Sequence, residues 1–264
     1  MKDIGGQMIL AIDIGNTNVV IGAVDEKKIY FIERVATVKT KTEAEYAIDL
    51  KILLELHKID LNDITGGIVS SVVPQITKMM KLAVEKVIEK DVLVLGAEIQ
   101  TGLNILIDNP EQLGSDMIAG AVAGITEYKV PMVIIDMGTA TTLTVIDKDK
   151  NCLGGMIVPG VQVALESLTA HASQLQGISL EAPKRVVGRN TIDCMVGGVV
   201  YGNADMIDGL IDRIEGELGE EVSVIATGGL AKLITPYCKR KIILDDDLLL
   251  KGLLIIYNIN IGGN

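Results

Sequence analysis

Tryptophan is absent, phenylalanine occurs once and tyrosine six times in 264 residues. That leaves little flat π surface for stacking bases or sugars. Positive charge is also short: 24 Lys and Arg against 35 Asp and Glu give a formal net charge of -11. A balance of that sign argues against affinity for a phosphate backbone driven by counterion release, so no nucleic-acid partner is expected. Cysteine is scarce and scattered, and Cys152, Cys194 and Cys238 form no CxxC or Cys/His spacing. Neither a zinc site nor a disulfide framework is indicated, and a reducing, cytoplasmic compartment fits. The longest charge-free stretch, Asn151 to Leu165, contains three Gly and a Pro and is too short to cross a bilayer, so no membrane partner is expected. Met1 to Gln7 carry one Lys and no apolar run, as expected of a loose leader rather than a signal peptide.

What the chain does have is apolar material. With 48% hydrophobic residues and a mean hydropathy of +0.40, it can fill one large core or two of about 120 residues each. The opening segment reads as strands over Ile9 to Ile14, Val19 to Val24 and Ile29 to Ala36, separated by Gly/Asn-rich and Asp/Lys-rich turns: an antiparallel meander. Helical spacing follows over Thr42 to Leu56 and Pro74 to Ile88, with short buried strands at Gly67 to Val73 and Val92 to Leu95. A helix is expected from about Ser115.

The pattern then restarts. MVIIDMGTATTLTVID, from Met132, repeats the logic of ILAIDIGNTNVVIGAVD, and Asp13 and Gly15 map onto Asp136 and Gly138 with one offset. A third strand near Cys152 to Val158, helices at Pro159 to Ala172 and Thr191 to Leu218, a strand at Val222 to Ala226 and a last helix from Leu248 to Asn258 complete a second half. The expected class is α/β with two similar halves, residues 1–128 and 129–264, and the boundary near Tyr128 to Pro131.

In Asp13-Ile14-Gly15-Asn16-Thr17-Asn18 a strand delivers a carboxylate into a turn rich in small donors. Such a turn could hold phosphate oxygens while the Asp binds a hydrated Mg²⁺. It could equally be a hairpin turn chosen for backbone geometry. The recurrence as Asp136-Met137-Gly138-Thr139-Ala140-Thr141-Thr142 favours the nucleotide reading, because geometry alone need not repeat Asp, Gly and a hydroxyl cluster together. Thr227-Gly228-Gly229, after a buried strand, suits backbone passing close to a sugar or base. Neither GxxxxGK[ST] nor GxGxxG occurs, so Walker and Rossmann nucleotide sites lose their main support.

DIGNTN, DMGTATT and TGG together resemble the acetate and sugar kinase, Hsp70 and actin superfamily. That resemblance implies duplicated ribonuclease H-like (actin-like ATPase) halves closing over ATP across an interdomain cleft. More narrowly, SSVVP at Ser70 to Pro74, DNPEQLGSDMIAGAVA from Asp108, GGMIVPG, GRNT at Gly188 to Thr191, TGGLA and DLLLKGLLIIYNIN resemble type III pantothenate kinases over nearly the whole chain from Met8. The resemblance implies ATP-dependent phosphorylation of pantothenate, the first step of coenzyme A synthesis. Asp13 to Val20 (Asp13, Ile14, Gly15, Asn16, Thr17, Asn18, Val19, Val20) would form the first ATP phosphate loop. Thr139 would contact ATP from the second, and Gly228 and Gly229 the adenosine. Asp136 would hold a monovalent cation, K⁺ or NH4⁺, and Mg²⁺ would accompany ATP at Asp13. Asp116, within Gly114-Ser115-Asp116-Met117, matches the proton acceptor beside the pantothenate hydroxyl. Thr191 matches a pantothenate contact reached from the neighbouring subunit of a homodimer. The family often has Gly-Ala-Asp-Arg where this chain has Gly-Ser-Asp-Met, so Met117 replaces a cation near the substrate carboxylate.

On position alone, Ser115 and Asp116 serve helix cap and catalyst equally well, and a helix start would depress the pKa of Asp116. Ser70 and Ser71 could hydrogen-bond near the site or simply end a strand. His57, His171 and Asp245 to Asp247 read as structural or surface groups. Two other readings stay open: a kinase of the same superfamily acting on another small alcohol or acid, and a nucleotide-binding transcription accessory protein without turnover.

Overall fold

A computed structural model describes residues 8–262; the expected leader, Met1 to Gln7, lies outside them. The chain runs β1 (Met8–Ile14), β2 (Asn18–Val24), β3 (Ile29–Ala36), α1 (Glu43–Leu56), β4 (Ile64–Ser71), α2 (Pro74–Ile88) and β5 (Val92–Val94). It continues with β6 (Asn104–Ile105), α3 (Ser115–Glu127), β7 (Met132–Met137), β8 (Ala140–Ile146) and β9 (Asn151–Pro159). The rest is α4 (Val161–His171), α5 (Thr191–Leu218), β10 (Ser223–Thr227), α6 (Ala231–Ile234), β11 (Ile243–Leu244) and α7 (Leu248–Ile261).

Two compact units result. One contains the described residues through Leu103, Asp108–Ala123 and the chain from Asp247; the other contains Asn104–Ile107 and Gly124–Asp246. The first has a sheet ordered β3-β2-β1-β4-β5, and the second a sheet ordered β11-β10-β7-β8-β9-β6. In each, an antiparallel meander is followed by a strand that returns parallel to the first: β4 beside β1, and β10 beside β7. Leaving β6 aside, the two orders are the same, which makes the duplication a matter of topology.

Alternation along β1 explains the layers of the first unit. Leu10, Ile12 and Ile14 join a core with α1 and α2 residues such as Tyr46, Leu50, Ile76 and Met80. Ile9 and Ala11 point into a second core with Ala119 and Val122 of α3 and Leu253 and Tyr257 of α7. Asp13 continues the second series, so its carboxylate emerges on the α3/α7 face. The helix ends follow local chemistry: Thr42 and Glu45 form a reciprocal capping box on α1, and Pro74 opens α2. In the second unit Val133, Ile135 and Met137 of β7 pack with Val200, Ile207 and Ile211 of α5. Asp136 therefore sits on the opposite face of its strand.

Candidate active site

In the first unit the strand register brings the polar groups together. Asp13 lies opposite Val20 across the hairpin and beside Ser70 on β4. Ser70 Oγ donates to Asp13 Oδ1 at 2.7 Å and lies 3.0 Å from Ser115 Oγ, while the Ser71 N–H donates to Ser115 Oγ at 2.9 Å. Ser70 is fully buried, so the reading of it as an ordinary strand end is replaced by that of a hydroxyl held against a carboxylate.

The hairpin itself is tied down by a residue that motif reasoning did not single out. Gly15 N–H donates to the Asn18 carbonyl at 2.9 Å, and Thr37, just past β3, takes two carbonyls of the loop. Its N–H donates to Thr17 O at 2.9 Å and its Oγ1 to Gly15 O at 2.7 Å. A trans peptide points its N–H opposite to its C=O. Fixing the Gly15 and Thr17 carbonyls on Thr37 therefore turns the Asn16 and Asn18 N–H groups away from it. Asn16, Thr17 and Asn18 are exposed, and amides turned outward from a loop are of the kind that can bind an anion.

The second unit repeats the device. The offset that relates Asp13 to Asp136 also relates Thr37 to Gly160, just past β9, and the Gly160 N–H donates to the Thr139 carbonyl at 3.1 Å. Thr227, at the end of β10, lies in register beside Asp136 as Ser70 lies beside Asp13. Both hydroxyl residues are buried. Gly138 and Thr139 are exposed at the hairpin tip. Gly228 has φ +94, and a Cβ there would stand 2.5 Å from both Asp136 Oδ1 and Met137 N. The need for glycine at this position is thus set inside the protein, by the close approach of the β10 exit to the end of β7. Gly229 beside it is exposed.

Ser115 and Asp116 are the first two residues of α3. Asp116 Oδ1 accepts from the Met117 N–H at 2.8 Å. The expectation that a helix start lowers the pKa of this group is corrected: burial pushes the carboxyl up from its ordinary value, and the backbone N–H groups of Met117 and Asp116 only partly oppose it. Gly114 completes the arrangement, because Asp116 Oδ1 occupies the place where a side chain at 114 would begin. Met117 is half-buried.

Asp13, Gly114, Ser115, Asp116 and Met117 thus fall in the first unit; Asp136, Thr139, Thr191, Gly228 and Gly229 fall in the second. Thr191 is exposed at the start of α5, whose cap is Asn190, accepting from the Asp193 N–H at 2.8 Å. His57 stacks on Phe31 and meets Glu33 at 2.8 Å, and Asp245 accepts from the Tyr128 hydroxyl at 2.7 Å. Those contacts are structural. Among the described residues no cluster of three or more His, Cys, Asp or Glu could hold a metal by itself, and no helix is long and apolar enough to cross a membrane.

Two sheets of one strand order, each carrying an Asp at the end of its first strand, define a duplicated ribonuclease H-like fold of the actin-like class. Solved structures share it: component A of (R)-2-hydroxyglutaryl-CoA dehydratase from Acidaminococcus fermentans (TM-score 0.58, 14% identity, 95% of this chain and 97% of that one). The ROK hexokinase from Thermus thermophilus also matches (TM-score 0.52, 12% identity, 97% and 100%). At such identities the likeness speaks for the fold alone. The sequence is more specific. The family model for type III pantothenate kinase matches residues 9–213. The type III pantothenate kinase of Bacillus cytotoxicus is 43% identical over 253 residues, 96% of this chain and 97% of that one. That of Halalkalibacterium halodurans is 41% identical over 254 residues, 96% of this chain and 100% of that one. The chain belongs to the type III pantothenate kinase family.

Proposed function

We propose that this chain transfers the γ-phosphoryl group of ATP to the C4 hydroxyl of pantothenate, giving 4'-phosphopantothenate and ADP, the first step of coenzyme A synthesis. The observation that supports it most is the linkage, within one unit, of the carboxylate expected at the donor phosphates to the helix start that carries the expected proton acceptor. Asp13 reaches Ser115 through Ser70, and Asp116 follows directly.

Phosphoryl transfer needs the alcohol, phosphorus and leaving oxygen in line and the charge on the phosphoryl oxygens offset, so positioning carries most of the rate. Asn16 and Asn18 offer backbone N–H groups to phosphate oxygens of ATP in the first unit, and Thr139 is the ATP contact of the repeated hairpin in the second. Gly228 and Gly229 pass beside the adenosine. Carboxylate and hydroxyl oxygens suit hard cations, so Asp13 would hold Mg²⁺ and Asp136 a monovalent cation, K⁺ or NH4⁺. Such ions offset phosphate charge. Asp116 orients the pantothenate hydroxyl and takes its proton as the oxygen commits to phosphorus, and burial makes this carboxylate a stronger base than a surface aspartate. Thr191 contacts pantothenate from a partner subunit of a homodimer.

The test is ADP release with pantothenate, with simple alcohols and acids as controls, with and without K⁺ or NH4⁺. Pantothenate-dependent release that rises with the cation is expected. Equal release with every alcohol would remove the substrate assignment, and none under any condition would remove the kinase.

A further inference from the structure

The hydroxyl chain between Asp13 and α3 carries a direction. A hydroxyl has one proton and two lone pairs. Ser70 Oγ lies 2.7 Å from Asp13 Oδ1, and a carboxylate takes the proton in preference to another hydroxyl. Ser70 therefore spends its only proton on Asp13. Ser115 Oγ already accepts the Ser71 N–H at 2.9 Å, so the 3.0 Å contact between the two serines is filled by the proton of Ser115. The order is Ser71 N–H to Ser115, Ser115 O–H to Ser70, Ser70 O–H to Asp13. Each bond polarises the next toward the carboxylate.

The chain's anchors are rigid. Ser70 is 0% exposed and paired in the β1–β4 register. The Val72 N–H donates to Ile14 O at 3.0 Å, which ties the β4 exit to the start of the phosphate hairpin. Ser115 is the first residue of α3, so its side chain fixes the first turn of that helix, and with it Asp116, to the end of β4. We propose that Ser115 and Ser70 are positioning residues that hold the Asp13 carboxylate and the Asp116 carboxylate in a fixed mutual geometry. They link the donor and acceptor sides of the transfer without touching the reacting atoms. The inference rests on the kinase reading above.

The test is a double-mutant cycle on the full chain with Ser115→Ala, Ser70→Ala and the pair, plus Ser115→Thr. A break anywhere interrupts the whole chain, so the two effects should overlap instead of multiplying. Although the family often has Ala at this position, in this chain Ser115→Ala releases the first turn of α3 from the end of β4 and is expected to lower kcat about tenfold, or about 1.4 kcal/mol, with KM for ATP and pantothenate changed less than about twofold. The pair should be no slower than Ser70→Ala, and Ser115→Thr, which keeps the hydroxyl, should recover most of the rate. The same cycle read on urea unfolding of the ligand-free chain should also be non-additive. Wild-type kcat in Ser115→Ala, or rate losses that multiply in the pair, would overturn the positioning role while leaving the kinase intact. No pantothenate phosphorylation by the wild type would overturn both.

Discussion

Gly228→Ala tests how closely the exit of β10 is drawn against the end of β7. At φ +94 an L-residue pays about 1–2 kcal/mol of backbone strain. The new methyl would also stand 2.5 Å from Asp136 Oδ1 and Met137 N, and 2.7 Å from Met137 C. The carboxylate can rotate aside, but the two Met137 atoms are backbone of a strand held in register with β10 through Thr227 and Asp136. Forcing such a contact apart costs about 1–3 kcal/mol. The sum, about 2–5 kcal/mol, is a large part of the 5–15 kcal/mol typical of whole domains. Urea unfolding followed by far-UV circular dichroism should show a markedly lowered midpoint for the second unit. Gly216→Ala is the control: no atom of another part of the described residues lies within 4 Å of its Cβ position, and in the solvent-facing part of α5 alanine should stabilise by about 0.5–1 kcal/mol. A Gly228→Ala unfolding free energy within about 0.5 kcal/mol of wild type would refute the close approach.

Asp116→Asn should make the protein more stable at neutral pH. The native carboxyl binds its proton more tightly than the unfolded one, whose ordinary value is 3.8. Wild-type stability is then greatest below that value and declines as pH rises through the native one. The advantage of Asn seen in chemical unfolding at pH 7 should vanish near pH 3, and a wild type more stable than the variant at pH 7 would contradict the burial argument. Among the described residues Thr141 Oγ1 is buried with no hydrogen-bond partner, so Thr141→Val should raise the unfolding free energy by about 1 kcal/mol; a loss of that size would mean that the hydroxyl is used. Met117→Arg should lower KM for pantothenate about tenfold or more by adding a charge-assisted bond to its carboxylate, worth about 1.5–3 kcal/mol. An unchanged KM in initial-rate assays would remove position 117 from the acceptor site.

Much of the fold was legible because it is written in local periods. Alternation in β1 to β3 and β7 to β9, with small-residue turns between, gave the two meanders, and Asp-x-Gly recurring at one offset gave the duplication. The two-residue strands β6 and β11 carry no readable period, and they exist only through parallel pairing with β9 and β10. Ser70 and Thr227 stand out in sequence only as a possible strand end and the start of a Gly-Gly turn, because their pairing with Asp13 and Asp136 comes from the strand that returns in parallel beside each. Thr37 lies far in sequence from the hairpin it anchors. Asp116 was misjudged electrostatically because a helix start is a local feature, whereas the burial that overrides it comes from packing around α3.

The most direct measurement is a single turnover with Asp116→Asn preloaded with ATP. Nucleotide affinity should match the wild type, while formation of 4'-phosphopantothenate should slow about 10²- to 10⁴-fold. A wild-type rate of transfer in that variant would show that the half-buried carboxylate at the start of α3 takes no proton from the acceptor alcohol.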